Sequence, residues 1–478
     1  MAAFDLALAH VKQQDVELLG HLPARVNELA RAANHTFRQT ELTPGNTLSL
    51  FIQQIARGNV ACAAVRHLAG SDFTDTAWCQ ARQRLPIDVI RHLQQSLVDG
   101  TRRQLDQQPQ DNVVAADGGA ADDGDAAGEG YRWHGHHVYV VDGTGDSMPD
   151  TPPLRAHYGV PSTCSAGLGF PTSHLLLTMD LRSGMFLDCL DCPIGTSDLS
   201  QTPAIHAQLK EGDVILGDVA FGSWGHFALI LQAKLHAVLP AHHSRIVSFT
   251  PARAHAHPRK GKNERRRGKP RSRVLKRLGD DDQLVEYFKP ADRDRPAWMS
   301  QRQWQALPES ITLREIRRVV KRHGFRSITV TIVTTLLDPE QYPADELIEL
   351  RLSRWMIETN IRHLKTTLGM DVLKCKTLEG VRKERLVFLL VYNLIRLLML
   401  QAARRQRVNV NRLSFADTLA WVRYGQLNVC VPLIVNPLRP GRLEPRLLKR
   451  RHKKHFPYMT VPRAQLQAQL RAAHCDTA

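Results

Sequence analysis

Apolar residues recur at three- and four-residue spacing through much of the first hundred positions, as in TLSLFIQQIARGNVACAAVRHLAG and SDFTDTAWCQARQRLPIDVIRHLQQSL. This spacing gathers the apolar side chains on one face of a helix and leaves the polar side chains on the other face. Residues 1–100 are therefore predicted to form a helical N-terminal domain.

The helical pattern ends in a segment of small and acidic residues, DQQPQDNVVAADGGAADDGDAAGEG, which holds seven acidic residues and no Lys or Arg. Such a composition buries too little apolar surface to offset the entropy lost on ordering. Residues 101–132 are therefore predicted to be an acidic flexible linker.

Short β-rich runs separated by turn residues follow, namely HVYVVDGT, HLLLTMDL and GMFLDCLDC. After them, the helical runs SDLSQTPAIHAQL and WGHFALILQAKL alternate with the strand-like runs DVILGDVAF and HAVLPA. This order predicts an α/β fold with a mixed sheet whose first half is largely antiparallel. Residues 133–245 are interpreted as the first part of that core.

A basic stretch interrupts the alternation, because residues 253–277 hold twelve Lys or Arg and one Glu. Strand character returns in SITVTIVTTLLD. We interpret residues 246–320 as a basic insertion, residues 321–405 as the second part of the core, and residues 406–478 as a basic C-terminal region.

Two strong helical patterns occupy the second part of the core, from Pro343 to Gly369 and from Leu378 to Arg405. The longest apolar run of the chain, Leu386 to Leu400, lies in the second of them and is interrupted by Asn393 and Arg396. A bilayer span needs about 20 mostly apolar residues. The run is therefore predicted to be a buried core helix.

The chain of 478 residues carries 64 Lys and Arg against 47 Asp and Glu, a formal net charge of +17. A polyanion is the natural partner of such a surplus, although charge alone is equally compatible with a merely basic protein. In the N-terminal domain Arg82, Arg84 and Arg91 favour DNA binding, and a helical cap without nucleic-acid contact is the alternative.

Eight scattered cysteines and an N-terminus without a secretory pattern predict a reduced, intracellular protein. Cys189 and Cys192 form a lone Cys-x-x-Cys pair, with no second pair at zinc-like spacing. They are therefore interpreted as buried thiols.

Two aspartates end strand-like runs: Asp142 in VYVVDGT and Asp218 in VILGDVAF. A carboxylate at a strand end is held rigidly, and two of them on neighbouring strands suit Mg²⁺, which takes oxygen ligands. Either aspartate alone is also compatible with stabilising a turn. Asp146, Asp150 and Asp213 are less well placed competitors.

One helical segment, ELRLSRWMIETNIRHLKTTLGM, carries a glutamate among cations. At about 100° per residue, Glu358, Arg351, Arg354 and Lys365 fall within about 60° of one another, beside an apolar stripe that packs on the core. On the residues alone, an ordinary Arg354–Glu358 ion pair on a solvated face is the alternative interpretation.

The same segment resembles the Tyr-x2-Arg-x3-Glu-x6-Lys signature of the insertion sequence four family of transposases, with Arg354, Glu358 and Lys365 in the last three positions. VVDGTGDSMPDTP and GDVAFGSW resemble the blocks around the family's two catalytic aspartates, which are Asp142 and Asp218 here. VTTLLDPEQYPADELIELRLSRWMIE, GMDVLKCKTLEGVRKE, YNLIRLLML and EPRLLKRR are also similar to the family.

The resemblance covers most of residues 40–460 and implies a ribonuclease-H-like core with an insertion between the second Asp and the Glu, which residues 246–320 fit. It implies that Asp142, Asp218 and Glu358 hold two Mg²⁺ ions, for which Mn²⁺ substitutes. Water then nicks a transposon end, and the freed 3′-hydroxyl attacks a second strand, without a covalent protein–DNA intermediate.

The partners that the resemblance implies are double-stranded DNA, as transposon ends and as target, and a second copy of the chain in a homodimer on DNA. The expected location is the cytoplasm, in association with the nucleoid and not with a membrane. Arg351 departs from the family, because it stands at the signature's Tyr position. Arg can still bind phosphate but lacks the phenol, which bears on whether a hairpin intermediate forms.

Supporting roles follow from the same resemblance. Arg351, Arg354 and Lys365 are expected to contact DNA phosphates. Trp298 or Trp304 is expected to stack on a flipped base, with packing in the core as the alternative. Thr144 is expected to position the Asp142 turn.

Three other functions stay open. The first is a degenerate, transposase-derived protein that binds DNA without cutting it, and the second is a metal-dependent nuclease of the same fold that cuts without strand transfer. The third is a zinc enzyme, because His134, His136 and His137 cluster in the sequence, but nothing around them resembles a zinc motif.

Overall fold

The computed structural model describes residues 22–107, 131–165, 167–242, 245–255, 270–321, 327–406 and 409–424, with residues 465 and 468. Its N-terminal helices are α1 (Leu22–Ala32), α2 (Pro44–Ala56), α3 (Cys62–Ala69), α4 (Asp75–Arg84) and α5 (Ile87–Asp106). The later helices are α6 (Pro152–Tyr158), α7 (Asp198–His206), α8 (Trp224–Gln232), α9 (Gln301–Ala306), α10 (Ala344–Leu352), α11 (Trp355–Arg362), α12 (Leu378–Gln406) and α13 (Phe415–Tyr424).

The N-terminal helices lie where the apolar periodicity predicts them, and threonines cap two of them. The Thr43 hydroxyl accepts from the backbone N–H of Asn46 at the start of α2, and the Thr74 hydroxyl accepts from that of Ala77 at the start of α4. Each cap satisfies a backbone donor that the first helical turn leaves without a partner. Helix α5 continues to Asp106, into the segment predicted as the linker.

The N-terminal helices do not form a core of their own. Their buried apolar residues belong to the same cluster as those of α12. Buried polar contacts join the two parts: the amide of Asn59 donates to Glu384 at 2.7 Å, and the amide of Gln94 donates to the Phe186 carbonyl at 2.8 Å. These helices therefore fold with the rest of the chain. Residues 108–130 of the predicted linker lie outside the described residues.

One mixed sheet runs through the described residues in the order β3-β2-β1-β4-β5-β9-β8-β7-β6. Its strands are β1 (Val138–Ser147), β2 (Thr172–Asp180), β3 (Phe186–Pro193), β4 (Val214–Leu216), β5 (His236–Pro240), β6 (Ser272–Gly279), β7 (Asp282–Phe288), β8 (Ser310–Val320) and β9 (Ile328–Thr334). Strands β1, β2 and β3 pair antiparallel, whereas β1, β4 and β5 pair parallel. The α/β class and the antiparallel first half of the sheet are therefore confirmed.

The two faces of the sheet contact different hydrophobic clusters. Val138 and Val140 face the cluster formed with the N-terminal and C-terminal helices, whereas Val141 faces a second cluster formed with α7 and α8. Alternate residues of a strand point to opposite faces, so this parity fixes the direction of every later side chain of β1.

The predicted insertion extends the sheet. Strand β9 pairs antiparallel with β5, and β8, β7 and β6 follow outward. Trp304 of α9 is buried in the second cluster and contacts Trp224 edge to face at 5.5 Å. Residues 270–320 thus share a sheet and a core with the first half. Residues 256–269, which hold much of the basic run, lie outside the described part.

The segment predicted as one helix from Pro343 to Gly369 is divided. Helix α10 ends at Leu352, α11 begins at Trp355, and a π-helical turn (His363–Thr367) follows. The Arg354 N–H bonds to the Arg351 carbonyl three residues earlier, a tight turn that separates α10 from α11.

Helix α12 is the one segment of the described residues with the length and hydropathy of a membrane span, and 89% of that window is buried inside the protein. Asn393, which interrupts its apolar run, donates to the Phe186 carbonyl and accepts from the Phe186 N–H. The prediction of a buried core helix is therefore confirmed. The C-terminal region beyond residue 424 lies outside the described residues, apart from two positions.

Candidate active site

Three alternate side chains of β1 each contact a cation from the C-terminal helical segments. Asp142 Oδ2 accepts from Arg354 Nη1 at 3.2 Å, and Thr144 Oγ1 accepts from Lys365 Nζ at 3.1 Å. The third, Asp146, is held by Arg385 of α12 at 2.7 and 2.8 Å. All three β1 residues point to the face of the sheet that α11 and α12 cover, as the parity of Val138 and Val140 requires.

Asp142 does not end its strand, contrary to the sequence-based expectation. Strand β1 continues to Ser147 and pairs with β2 as far as Thr172. The pairing of β1 with β4, however, stops at Val140. Asp142 is therefore the first residue past the end of the β1–β4 pairing whose side chain points to the face that α11 and α12 cover.

Asp218 lies at the same level, two residues past the end of the neighbouring strand β4. Val140 is opposite Leu216 in the parallel pairing, and Asp142 and Asp218 each follow two residues later. The chain turns at Asp218 into a single 3₁₀ turn (Val219–Phe221), and the Asp218 side chain accepts from the Val219 N–H at 2.6 Å. This cap holds an exposed carboxylate at the open edge of the sheet.

Glu358 reaches the same place from α11. Its Oε1 accepts from Arg354 Nη2 at 2.5 Å, so Arg354 connects Glu358 to Asp142. The Glu358 side chain is 59% exposed, whereas that of Arg354 is 13% exposed. The Arg354–Glu358 ion pair of the alternative interpretation is present, and Arg354 extends it to Asp142. We call the space bounded by Asp142, Asp218 and Glu358 the acidic cleft.

The three carboxylates interact electrostatically. Burial raises the pKa of Asp142, and the negative charges of Asp218 and Glu358 act in the same direction. Arg354 and the Gly143 N–H oppose that shift by stabilising the charged form. The acidic cleft thus concentrates negative charge that a nearby cation offsets.

Arg351 is half-buried beside the cleft. Burial lowers the pKa of its guanidinium to about 10, and the neighbouring Arg354 acts in the same direction, while Asp218, Glu358 and Asp142 oppose them. The group stays protonated at neutral pH. Its Nε is buried without a hydrogen-bond partner, as is the Nε of Arg354. Each of the two arginines beside the acids therefore has one buried donor without a partner.

Lys365 lies in the π-helical turn, and the loop after that turn is tied to the end of β1. The Ser147 N–H bonds to the Asp371 carbonyl, and the Leu373 N–H bonds to the Ser147 carbonyl. π-Helical turns are frequent at functional sites. Thr144 contacts Lys365 instead of stabilising a turn at Asp142, which corrects its expected role.

The competing aspartates have other partners. Asp146 is buried under Arg385 and accepts from Ser173 Oγ, and Asp150 pairs with Arg155. Asp213 is buried and accepts from the Lys210 N–H. Asp142, Asp218 and Glu358 therefore remain the three candidate acids of the cleft.

Two neighbouring features escaped the sequence analysis. His174 and Asp198 are hydrogen-bonded on the opposite face of β1, and a Cβ on Gly143 would lie 3.2 Å from Asp198 Oδ2. Trp355 is 56% exposed at the start of α11. The sequence held one signal for each feature: a glycine directly after Asp142, and an aromatic residue, Trp355, among the polar residues of the helix.

The two candidate tryptophans differ in burial. Trp304 is 1% exposed, and its indole N–H donates to Asp292 at 3.1 Å. It is a core residue, and its expected stacking on a base is wrong. Trp298 is partly buried against the second cluster, so its role at a flipped base stays a prediction.

The donor chemistry of the acidic cleft suits a hard divalent cation, because its ligands would be carboxylate oxygens. In the described residues no group of three or more His, Cys, Asp or Glu side chains is arranged to hold a metal ion, and Arg354 spans two of the three acids. The His134 cluster has other partners: His134 contacts Glu346 and His136 contacts Tyr342. Cys189 and Cys192 are free thiols.

Several known proteins resemble this chain in sequence. The sequence model of the family described as "Transposase DDE domain" matches residues 133–394, which include all three acids. The transposase InsG for insertion sequence element IS4 of Escherichia coli is 24% identical over 304 residues, 61% of this chain and 59% of that protein. The putative transposase InsZ of Escherichia coli is 28% identical over 112 residues, 23% of this chain and 38% of that protein.

The chain spans less than two thirds of the length of either relative. A solved synaptic complex of the piggyBac transposase with hairpin DNA has a TM-score of 0.36 and 9% identity, over 88% of this chain and 78% of that chain. The family match, in contrast, covers more than half of the 478 residues, so the chain belongs to the transposase DDE domain family.

Proposed function

We propose that the protein is a DNA transposase that cuts transposon ends and joins them to target DNA, with Asp142, Asp218 and Glu358 as its catalytic acids. The observation that carries this proposal is the convergence of the three acids. Asp142 and Asp218 each lie two residues past the last paired residues of the parallel strands β1 and β4, and Arg354 links Glu358 to Asp142. Family membership adds to the proposal, because the matched region contains them all.

We also propose that the core is ribonuclease-H-like. The order β3-β2-β1-β4-β5, with three antiparallel strands followed by two parallel crossovers, supports this fold. The strands β6, β7 and β8 then form the insertion between Asp218 and Glu358.

Divalent metal ions are the cofactors of this family in general. Asp142, Asp218 and Glu358 would hold two Mg²⁺, or Mn²⁺ in their place, which would activate the attacking hydroxyl and stabilise the leaving oxygen. For this role Arg354 has to release Asp142 and Glu358. The exposure of Asp218 and Glu358 leaves both carboxylates accessible.

Arg351, Arg354 and Lys365 are proposed to hold the phosphates of the reacting strand, since their cationic groups surround the acidic cleft. Trp298 is proposed to contact a displaced base. The net charge of +17 supports phosphate neutralisation as the main source of DNA affinity. Affinity should then fall log-linearly with salt, and a gel-shift series that stays flat from low to moderate salt would contradict it.

Joining two ends requires two active sites, so a homodimer that bridges two transposon ends is the proposed working assembly. It would act on double-stranded DNA in the cytoplasm, at the nucleoid. Light scattering of the protein with end DNA tests this. A complex of one protein and one end that completes strand transfer would refute the dimer.

The test of the catalytic assignment uses labelled transposon-end duplexes. Asp142→Asn, Asp218→Asn and Glu358→Gln are each expected to abolish cleavage and to retain DNA binding in gel shifts. Asp88→Asn and Glu211→Gln are matched controls, because these acids form exposed ion pairs with Arg91 and Lys234 and not with the cations of the cleft, and both should cut normally. A triad variant that nicks at the wild-type rate would overturn the assignment.

The same assay separates the alternatives. A nuclease of this fold would cut the end and give no joined product. A degenerate transposase would bind the duplex and leave it intact at every metal concentration. Either outcome for the wild-type protein would replace the proposed activity.

A further inference from the structure

We propose that Arg354 closes the acidic cleft against divalent cations until a DNA phosphate draws its guanidinium away, so that DNA and metal bind cooperatively. This inference rests on the proposed function. Arg354 Nη1 donates to Asp142 Oδ2 at 3.2 Å, and Arg354 Nη2 donates to Glu358 Oε1 at 2.5 Å. One side chain thus occupies an oxygen of each of two proposed metal ligands.

The closed arrangement opposes a metal ion in two ways. The oxygens that Arg354 occupies are the ones that Asp142 and Glu358 would offer to a cation. The guanidinium also places its own positive charge between the two carboxylates, and charges of like sign a few ångströms apart repel strongly where water is scarce. With its side chain only 13% exposed, Arg354 is poorly screened by solvent.

The contacts of Arg354 are nevertheless incomplete. It makes a single hydrogen bond to each carboxylate, and its Nε is buried without a partner. A phosphate accepts two parallel hydrogen bonds from one guanidinium, and such forked pairs are stronger than single bonds. A phosphodiester beside α11 would satisfy the Nε and compete with both carboxylates for the same fork.

The surroundings bring a phosphate to this position. Arg351 precedes Arg354 by one tight turn and presents a second guanidinium whose Nε lacks a partner. Trp355, which follows Arg354, is exposed and offers a ring against which a sugar or base packs. Lys365 is held in place by Thr144 on the same face of β1. Cationic groups therefore flank the acids at the place where a phosphate would bind.

Thermodynamic linkage makes the consequence measurable in both directions. If DNA raises the metal affinity by some factor, the metal raises the DNA affinity by the same factor. Couplings of this kind are typically about 5- to 150-fold. The contacts of Arg354 with Asp142 and Glu358 would keep the metal affinity of the free protein low, so that the metal site would form only on DNA.

The experiment measures Mn²⁺ binding to the full-length protein by electron paramagnetic resonance, with and without a duplex of the transposon end. Wild-type protein is expected to bind Mn²⁺ at least about fivefold more tightly in the complex than alone. Complexes of Asp142→Asn measured in parallel correct for Mn²⁺ bound by the DNA itself.

Arg354→Gln is expected to bind Mn²⁺ at least about fivefold more tightly than wild type without DNA, and to lose most of the gain that DNA gives. Arg354→Lys keeps the positive charge but cannot make two parallel hydrogen bonds, so its Mn²⁺ affinity without DNA should lie between those of wild type and Arg354→Gln. It replaces the Gln variant in the experiment if that variant fails to fold. Lys234→Gln is the matched control, since Lys234 forms an exposed pair with Glu211, and its Mn²⁺ affinities should equal those of wild type.

The outcomes separate this inference from the proposed function. If Arg354→Gln, Arg354→Lys and wild type bind Mn²⁺ equally, and DNA changes nothing, the gate is wrong. If Asp142→Asn and Asp218→Asn also leave Mn²⁺ binding to the free protein and the complex unchanged, the acidic cleft is not the metal site and the proposed function fails with it.

Discussion

The guanidinium of Arg385 closes on both oxygens of Asp146, with Nε to Oδ2 at 2.7 Å and Nη2 to Oδ1 at 2.8 Å. Both side chains are buried, 3% and 0% exposed. Arg385 also donates to the hydroxyls of Tyr158 and Ser173. This network fastens α12 to β1 four residues beyond Asp142, so the position of the first proposed catalytic acid depends on it.

Asp146→Ala is expected to lower the free energy of unfolding by about 3–5 kcal/mol, because it leaves the Arg385 charge buried and uncompensated. Urea unfolding followed by circular dichroism measures the change. Asp88→Ala removes an exposed partner of Arg91 and should cost less than about 1 kcal/mol. Equal costs for the two variants would mean that the buried pair contributes no more than a surface pair.

A buried histidine pair should make stability depend on pH. Burial lowers the pKa of His206 to about 3 and that of His226 to about 4. His226 Nδ1 faces the Phe221 carbonyl, which only accepts, so Nδ1 carries the proton and Nε2 accepts from His206 at 3.1 Å. Both rings are therefore neutral in the folded protein.

An unfolded histidine binds a proton near pH 6.5, whereas these two do not until pH 3–4. Their contribution to stability is thus fully present above pH 6.5 and is lost as the pH falls from about 6.5 towards 4. Each group adds a slope of up to about 1.4 kcal/mol per pH unit. Unfolding free energies measured between pH 7 and pH 4.5 should show this decline.

His226→Gln should reduce the pH dependence of the unfolding free energy by the contribution of one histidine, roughly 1.4 kcal/mol per pH unit, whatever it does to the overall stability. His67→Gln changes an exposed histidine and should leave the slope as it is in wild type. Parallel pH profiles for wild type and His226→Gln would show that the pair is not responsible.

Arg351→Ala is expected to reduce the rate of end cleavage roughly tenfold to a hundredfold, the equivalent of one charge-assisted hydrogen bond to phosphate. Arg351→Tyr should cleave better than Arg351→Ala and yield more of any hairpin product, because it restores the residue of the family signature. Labelled end duplexes report both rate and products. Wild-type behaviour of both variants would remove Arg351 from the site.

The two tryptophans of the insertion should respond differently to truncation. Trp304→Ala should lower the free energy of unfolding by about 3–5 kcal/mol, because the ring is fully buried against Trp224. Trp298→Ala should cost less stability and should weaken end cleavage in the folded protein. Urea unfolding and the cleavage assay together check this, and normal cleavage by Trp298→Ala would exclude a role at a displaced base.

The strands and helices around the cleft were predictable because their signals are local. Short β-rich runs bounded by turn residues locate the strands β1 to β5, and apolar residues at three- and four-residue spacing locate the helices. The continuation of β1 to Ser147 was not predictable, since Gly143 and Gly145 suggest a turn. Pairing with β2, a distant segment, keeps those glycines extended.

The chemistry of the cleft was predictable only in part. The family signature points to Glu358, Arg354 and Lys365, but no pattern reveals that Arg354 spans two of the acids or that Arg385 neutralises Asp146. Those contacts join residues more than two hundred positions apart in the chain. They follow from the packing of α11 and α12 on β1, which local periodicity does not encode.

Strand β5 pairs on one side with β4, made just before it, and on the other with β9, whose Thr334 is opposite Val238. A ribosome adds about 5–20 residues per second, so those 334 − 238 = 96 positions take roughly 5–20 seconds to make. Throughout that interval the nascent chain presents an unpaired strand edge, the kind of surface on which neighbouring chains aggregate. We therefore expect yield in cells to depend on translation speed and chaperone supply while residues 241–327 are being synthesised.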